Sequence, residues 1–301
     1  MNNRRQCLYA ALLLFLSPAA YGQVNVFACE PEWASLAGEL GGDLVTTYSA
    51  TTGRQDVHHI QARPGLIARA RKADLLLCTG AGLEEGWLPV LLARANNPHI
   101  RPGAPGYLET SAAVSLLEVQ ANADRSAGHV HPLGNPHIQL DPRNIPAIAT
   151  AVSRRLGEID PQNAGSYDRR LEDFLDRWRN AMARWEAGAA DLKGMRVVVH
   201  HNAWVYLVRW LGLEQSGTLE EKPGIPPTSG HLSRLLDRLE EQPVSVIIRS
   251  PYQSARPSRW LSERSGIRAI ELPSTVGGTD GATDLFSLFD DILERLLAAQ
   301  S

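Results

Sequence analysis

Residues 23–50 read QVNVFACEPEWASLAGELGGDLVTTYSA, and this stretch decides the fold class. QVNVFAC is a short, mostly apolar run with the signature of a buried strand. EPEWASLAGELGG spaces its apolar residues at three and four and closes on glycine, as a helix does. DLVTTYSA is a second strand. The next segments repeat the pattern. A loop carries His58 and His59, then PGLIARARKA (64–73) predicts a helix with Pro64 near its start. DLLLCTG (74–80) is a third strand and GLEEGWLPVLLARA (82–95) a further helix. Strands that alternate with helices in this way form a parallel sheet with helices on both faces.

The same grammar returns near the end of the chain. MRVVVHH (195–201), VSVIIRS (244–250) and IRAIELP (267–273) read as strands. NAWVYLVRWLG (202–212), PPTSGHLSRLLDRLEEQ (226–242), ARPSRWLSERSG (255–266) and TDLFSLFDDILERLLAAQ (283–300) carry the helices between and after them. Between the two α/β units, after a helix over 143–159, lies 160–194. Tyr167, Leu171, Phe174, Leu175, Trp178, Met182 and Trp185 recur there at helical spacing. One amphipathic helix of roughly 40 Å is expected. The predicted architecture is α/β: two lobes, each a parallel sheet flanked by helices, joined by one long rigid helix. The expected divisions are a signal peptide over 1–22, an N-terminal lobe over 23–160, the linking helix over 161–193 and a C-terminal lobe over 194–301.

The signal peptide is read from Arg4 and Arg5, an apolar core from Leu8 to Leu16, and small residues at Ala20 and Gly22. Cleavage is expected after Gly22. Cys7 precedes the apolar core and is not read as a lipidation cysteine. Removal of residues 1–22 leaves roughly 280 residues, the size of two ordinary domains. A net charge of −3 with no basic stripe argues against nucleic acid as a partner. No later segment is apolar enough to insert in a membrane, so an exported, periplasmic protein is expected. Cys29 and Cys78 each end an apolar run. Two strands ending side by side would bring the sulfurs together as a disulfide in an oxidising compartment; the alternatives are buried free thiols or thiols near a metal.

Three of the nine histidines share a topological address. His58 follows the second strand, His137 the loop that leaves the first lobe, and His201 the first strand of the second lobe. Ligands of open parallel sheets bind beyond the carboxyl ends of the strands. Three neutral imidazoles converging there would suit zinc or another divalent first-row ion, with a carboxylate or water in fourth place.

The words around these histidines sharpen the reading. His58 stands six residues before Pro64; Pro136-His137-Ile138-x-Leu140-Asp141-Pro142 surrounds the second; His201 precedes Ala203, Trp204 and Tyr206 in a run that ends Gly212-Leu213. Together they resemble the three histidine motifs of the metal-specific solute-binding proteins of ABC importers, the ZnuA/TroA-like group. The resemblance covers essentially the whole chain after the signal. It implies a non-enzymatic protein that acts as a monomer, captures a divalent metal in the periplasm and delivers it to an ABC permease. It also implies His58, His137 and His201 as metal ligands. By the same register His59 is a neighbour and His200 closes the strand.

The chain departs from the family pattern at the fourth ligand. Relatives often place an aspartate in a turn after the last strand, where this sequence has Ser274 or Thr275. Water, Glu30 or Asp280 are the substitutes considered. A set poor in oxygen favours Zn2+, with Mn2+ the alternative. His129 and His131 precede the second motif and read either as a weak secondary collector of metal or as solvated loop residues. The segment 220–232 resembles the family's proline-rich stretch that folds over the cleft, and its residues are expected to touch the other lobe rather than the metal. The rival classes are a secreted zinc hydrolase and a periplasmic zinc chaperone or adhesin on the same fold. No HExxH or GxSxG word supports the hydrolase.

Overall fold

The computed structural model describes residues 22–119 and 131–300. The signal segment and His129 lie outside the described residues. The first sheet contains β1 (Val24–Ala28), β2 (Val45–Ser49), β3 (Leu75–Cys78) and β4 (Tyr107–Glu109) in the order β2-β1-β3-β4, with every pairing parallel. The helices of this half are α1 (Pro31–Gly41), α2 (Pro64–Arg71), α3 (Leu88–Ala95) and α4 (Ile145–Ile159). The long helix α5 (Ala164–Gly188) follows, flanked by 3-10 turns at Pro161–Asn163 and Ala190–Leu192. The second sheet repeats the topology as β6-β5-β7-β8, from β5 (Arg196–Val199), β6 (Glu214–Thr218), β7 (Val246–Arg249) and β8 (Arg268–Glu271). Its helices are α6 (Val205–Leu211), α7 (Ser229–Glu241), α8 (Ala255–Ser265) and α9 (Leu285–Gln300).

Side chains of a strand alternate between faces, and the core divides accordingly. Phe27, Cys29, Leu76 and Cys78 point to an outer layer made by α2 and α3. Val26, Ala28, Leu75 and Leu77 point the other way. In the second sheet Val198 and Ile247 meet α7 and α8, whereas Val197, Val199, Val246 and Ile248 face inward. The two inward faces share one continuous core with α1, α4, α5, α6 and α9. The lobes therefore have separate outer layers and a common interior. Helix α5 runs through that interior for 25 residues, roughly 38 Å at 1.5 Å per residue. Its Trp178 lies 4.9 Å from the Phe286 ring, edge to face, and 5.1 Å from Trp185. The Trp178 indole N–H donates to the carbonyl of Pro142, and that of Trp185 to Asp290.

Two elements differ from expectation. Strand β6 is absent from the sequence reading because Glu-Gln-Ser-Gly-Thr carries no apolar alternation. It is an edge strand with no buried residue, paired only to β5, with a bulge opposite Val197 and Val198. The helix expected over 82–95 begins only at Leu88. Gly80, Ala81 and Gly82 all have positive φ (78°, 53° and 86°), which turns the chain sharply after β3. The Glu84 carboxylate then folds back to accept the amides of Thr79 and Gly80.

The ends of β1 and β3 are joined by a disulfide between the fully buried Cys29 and Cys78, with Cα atoms 4.8 Å apart. It closes a sequence separation of 49 residues. Chain-entropy reasoning puts its contribution at about 2–4 kcal/mol. A Cys29→Ala/Cys78→Ala variant should lose that amount in urea unfolding, and added reductant should then leave its midpoint unchanged.

Candidate metal site

The carboxyl ends of the two sheets face each other, and the loops beyond them interlock. Asn135 Nδ2 donates to the Asn202 carbonyl at 2.8 Å, Gln139 Nε2 to the Ser274 carbonyl at 3.0 Å, and the Leu117 amide to the Tyr206 hydroxyl at 3.0 Å. His58, His137 and His201 meet at this seam. Their ring centroids are 5.9 Å (58–137), 5.9 Å (58–201) and 5.7 Å (137–201) apart, and one ligand nitrogen from each lies within 4.8 Å of the others.

Each imidazole is held by its own neighbourhood. His58 sits on the loop after β2, where its amide donates to Asp56 Oδ1 at 3.0 Å. Trp87 Nε1 donates to the Val57 carbonyl at 2.9 Å. Gly86 packs so close beneath that a side chain there would press on the His58 carbonyl. The turn after β3 is thus the floor of the His58 loop. His137 precedes a short 3-10 turn, Ile138–Leu140, and is buried. Its amide and its ring Nδ1 both lie against Asn135 Oδ1, at 3.1 and 3.0 Å. Asn135 is itself fixed by Glu118 and by the Tyr206 hydroxyl, which donates to its carbonyl. His201 follows β5, is buried, and places Nδ1 2.7 Å from Glu220 Oε2. Glu220 also accepts the Gly224 amide at 2.7 Å. In His137 and His201 an acceptor occupies Nδ1, which leaves Nε2 to point at the common centre. An oxygen partner behind each histidine is the arrangement that fixes the tautomer of a metal-binding imidazole.

The electrostatics favour a neutral His137. Burial pushes the His137 pKa well below its ordinary value, and the neighbouring His201 and His131 push it further down. Burial also lowers His200. His200 continues the β5–β7 ladder through its amide and sends Nε2 to within 3.7 Å of Glu220, away from the three-histidine centre. His59 is exposed, 4.0 Å from Asp56. His131 is not a solvated loop residue: its ring stacks on His58 at 5.4 Å. His231 Nε2 meets the Thr218 carbonyl, and His99 lies on a surface turn.

The other residues considered for a fourth position are engaged elsewhere. Asp280 is fully exposed and faces Arg54. The Ser274 carbonyl receives Gln139, and the Thr275 hydroxyl donates to Glu32. Glu30 is buried beneath the disulfide, where one oxygen accepts the Thr79 amide and hydroxyl at 3.2 and 3.1 Å. Glu84 lies beside it. Cys29, Cys78 and Glu84 also cluster within ligand range of one another, but the sulfurs are bonded to each other. Within 220–232, Glu220 accepts from His201 and lies 3.7 Å from His200. Sequence reasoning missed it because it lies two residues beyond the end of the unrecognised strand β6. Asn135 and Asp56 were also missed, although an Asn or Asp two residues before a histidine is a local signal for a side chain capping that amide. A cavity of about 660 Å³ adjoins the centre, lined by Asp56, His58, His201, Glu220, Tyr252 and Arg256 among others.

The buried carboxylates make stability depend on pH. Burial raises Glu30 well above the usual carboxylate range, and raises Glu32 and Glu84 to about 7. Such groups stay protonated in the fold while the unfolded chain ionises near 4.5, so their contribution is complete below 4.5 and lost as pH rises through about 7. His137 has the opposite sign: its lowered pKa weakens the fold as pH falls below 6.5. Urea unfolding from pH 6 to 8.5 should show declining stability in the wild type. Glu84→Gln, which keeps an acceptor for Thr79 and Gly80, should flatten that decline.

A family model described as zinc-uptake complex component A, periplasmic (ZnuA), matches residues 26–299. Similar curated proteins include the iron-binding protein YfeA of Yersinia pestis, 23% identical over 236 residues, covering 77% of this chain and 70% of that one. The manganese ABC transporter substrate-binding lipoprotein PsaA of Streptococcus mitis is 21% identical over 257 residues, covering 83% and 79%. Among solved structures, a crystal structure of ZnuA superposes with a TM-score of 0.79 at 22% identity, covering 93% of this chain and all of that one. A manganese-bound periplasmic metal-binding protein from Candidatus Liberibacter asiaticus gives 0.74 at 16% identity, covering 93% and 100%. The family model spans nearly the whole described chain, and the sheet order, the long helix and the histidine-lined seam fit one scheme: this protein belongs to the ZnuA family of periplasmic metal-uptake components.

Proposed function

We propose that this protein captures a divalent metal ion at the seam between its lobes and hands it to the permease of an ABC importer. His58, His137 and His201 are the ligands, and Zn2+ is the cargo. The observation that carries this reading is the convergence of three imidazoles from three separate segments, two of them with Nδ1 already taken by an oxygen acceptor. Ligands held neutral before binding cost the least reorganisation when the ion arrives. Nitrogen ligands suit zinc better than manganese, which prefers carboxylates. Curated relatives carry the names of iron and manganese transport proteins, so the choice of zinc rests on this donor set.

In this reading residues 1–22 direct export to the periplasm and are removed, residues 23–160 and 194–301 are the two lobes, and 161–193 links them in a monomer. No helix among the described residues is long and apolar enough to cross a membrane. The shared interior along α5 limits hinge motion, so capture is expected to move loops more than lobes. A binding protein is favoured over a hydrolase because Glu220, the carboxylate nearest the histidines along the cavity wall, is committed to His201 and the Gly224 amide.

Calorimetry on residues 23–301, stripped of metal, should find one tight zinc equivalent, with manganese displaced in competition. Affinity should fall below about pH 6 as the imidazoles protonate. The His58→Ala/His137→Ala/His201→Ala variant should bind neither ion at that site, and tight zinc binding in that variant would defeat the proposal. Glu220→Ala removes the partner of His201 together with the acceptor of the Gly224 amide and should weaken zinc binding about 10–100-fold; Glu220→Gln should recover part of the loss.

A further inference from the structure

Zinc held by protein side chains is usually four-coordinate, and three positions are accounted for by the histidine triad. The side chains considered from sequence for the fourth are bound to other partners, as described above. A fourth imidazole nevertheless stands at the site. His131 lies over His58 with ring centroids 5.4 Å apart. Its Nδ1 edge rests over Gly82, where even an added methyl group would come within 3.4 Å, and its Nε2 is shielded from solvent. The turn that begins with the Gly134 amide donating to the His131 carbonyl leads, one residue on, to Asn135, which orients His137. The segment that positions the second ligand thus also positions His131.

The spacing can be compared with coordination chemistry. A Zn–N bond of about 2.0–2.1 Å puts an imidazole centroid roughly 3.2 Å from the metal, so two ligands at the tetrahedral angle have centroids roughly 5.2 Å apart. The three distances within the triad are 5.7–5.9 Å, and the His58–His131 distance is 5.4 Å. The His58–His131 spacing is therefore that of two ligands of one ion, while the 27° between the ring planes means that the His131 ring must turn before its nitrogen faces the ion that His58 faces. His131 does not belong to the tightest set, whose nitrogens lie within 4.8 Å of one another, so a small inward rotation accompanies binding.

We propose that His131 is the fourth metal ligand, completing an all-imidazole site. This rests on the reading of the triad as the primary site and deepens it. In place of a weak collector on a loop, His131 becomes the residue that closes the coordination sphere from the N-terminal lobe. Four nitrogen donors and no carboxylate would discriminate strongly against manganese.

The test is X-ray absorption on the zinc-loaded protein, with the visible spectrum of the cobalt-loaded protein as a second readout. The wild type should show four nitrogen scatterers with imidazole outer-shell features. His131→Ala should show three nitrogens and one oxygen, a changed cobalt band pattern, and at least a 10-fold loss of zinc affinity. Its thermal unfolding without metal should be unchanged, which separates loss of a ligand from loss of the fold. His131→Asp should narrow the preference for zinc over manganese, and His59→Ala should alter nothing. Three nitrogens plus an oxygen in the wild type, with His131→Ala unaltered, would overturn the proposal and assign the fourth position to water from the cavity. Failure of the wild type to bind zinc, or retention of the same coordination sphere in the triad variant, would overturn the parent reading and this proposal with it.

Discussion

The site depends on one constraint: two parallel sheets must present their carboxyl ends to each other at a fixed separation. Helix α5 imposes it. Trp178 and Trp185 are buried in the core that the inward faces of both sheets share, against Phe286 and Phe289 of α9. A buried aromatic removes about 150–250 Å² from water, an upper-bound contribution of roughly 4–6 kcal/mol at 25 cal/mol per Å². The polar ends of the same indoles supply direction: Trp178 donates to Pro142, five residues after His137, and Trp185 to Asp290 on α9. A rotation of one lobe against the other would disturb an aromatic cluster and two indole hydrogen bonds together. The histidines can be placed to within ångströms because the scaffold beneath them cannot drift.

On this scaffold the second layer makes metal chemistry possible. A buried imidazole without a partner would have both tautomers open to it and would pay desolvation for either. Asn135 and Glu220 remove the choice for His137 and His201 by occupying Nδ1. Each of these partners is itself anchored across the seam or along it. Asn135 reaches the Asn202 carbonyl, while Glu220 takes the Gly224 amide. The tie between Asn135 and Asn202 means that the orientation of His137 is set partly by the C-terminal lobe. Under the His58 loop the disulfide, the Glu30–Glu84 cluster and the glycine-rich turn after β3 form a dry, dense support.

The fold was largely legible in the sequence because its strands are fully buried and its helices amphipathic. VNVFA, LLLC, RVVV and VIIR are runs that parallel sheets require. The triad was legible through the words around each histidine. What escaped notice shares one property, dependence on contacts distant in sequence. Strand β6 is polar because it is an edge, and only pairing with β5 makes it a strand. The 82–87 segment has helical spacing, but Glu84 gains more by satisfying two amides at the end of β3. Glu220 lies 19 residues from the histidine it orients, and nothing local marks it.

His131 shows where that boundary falls. On a Gly-, Asn- and Pro-rich stretch a histidine has no periodicity to report its environment, and a solvated position is the default. Its place is decided by the tight turn at Gly82, which leaves room for the ring, and by His58, which offers a face for stacking. Both exist only because β2 and β3 end on the same side of one parallel sheet. Topology therefore brings the imidazoles together before any metal is considered. Burial then disfavours the protonated form of His137, whose pKa lies well below its ordinary value. In the proposed function, a cation entering from the adjoining cavity would meet nitrogen donors already held this close.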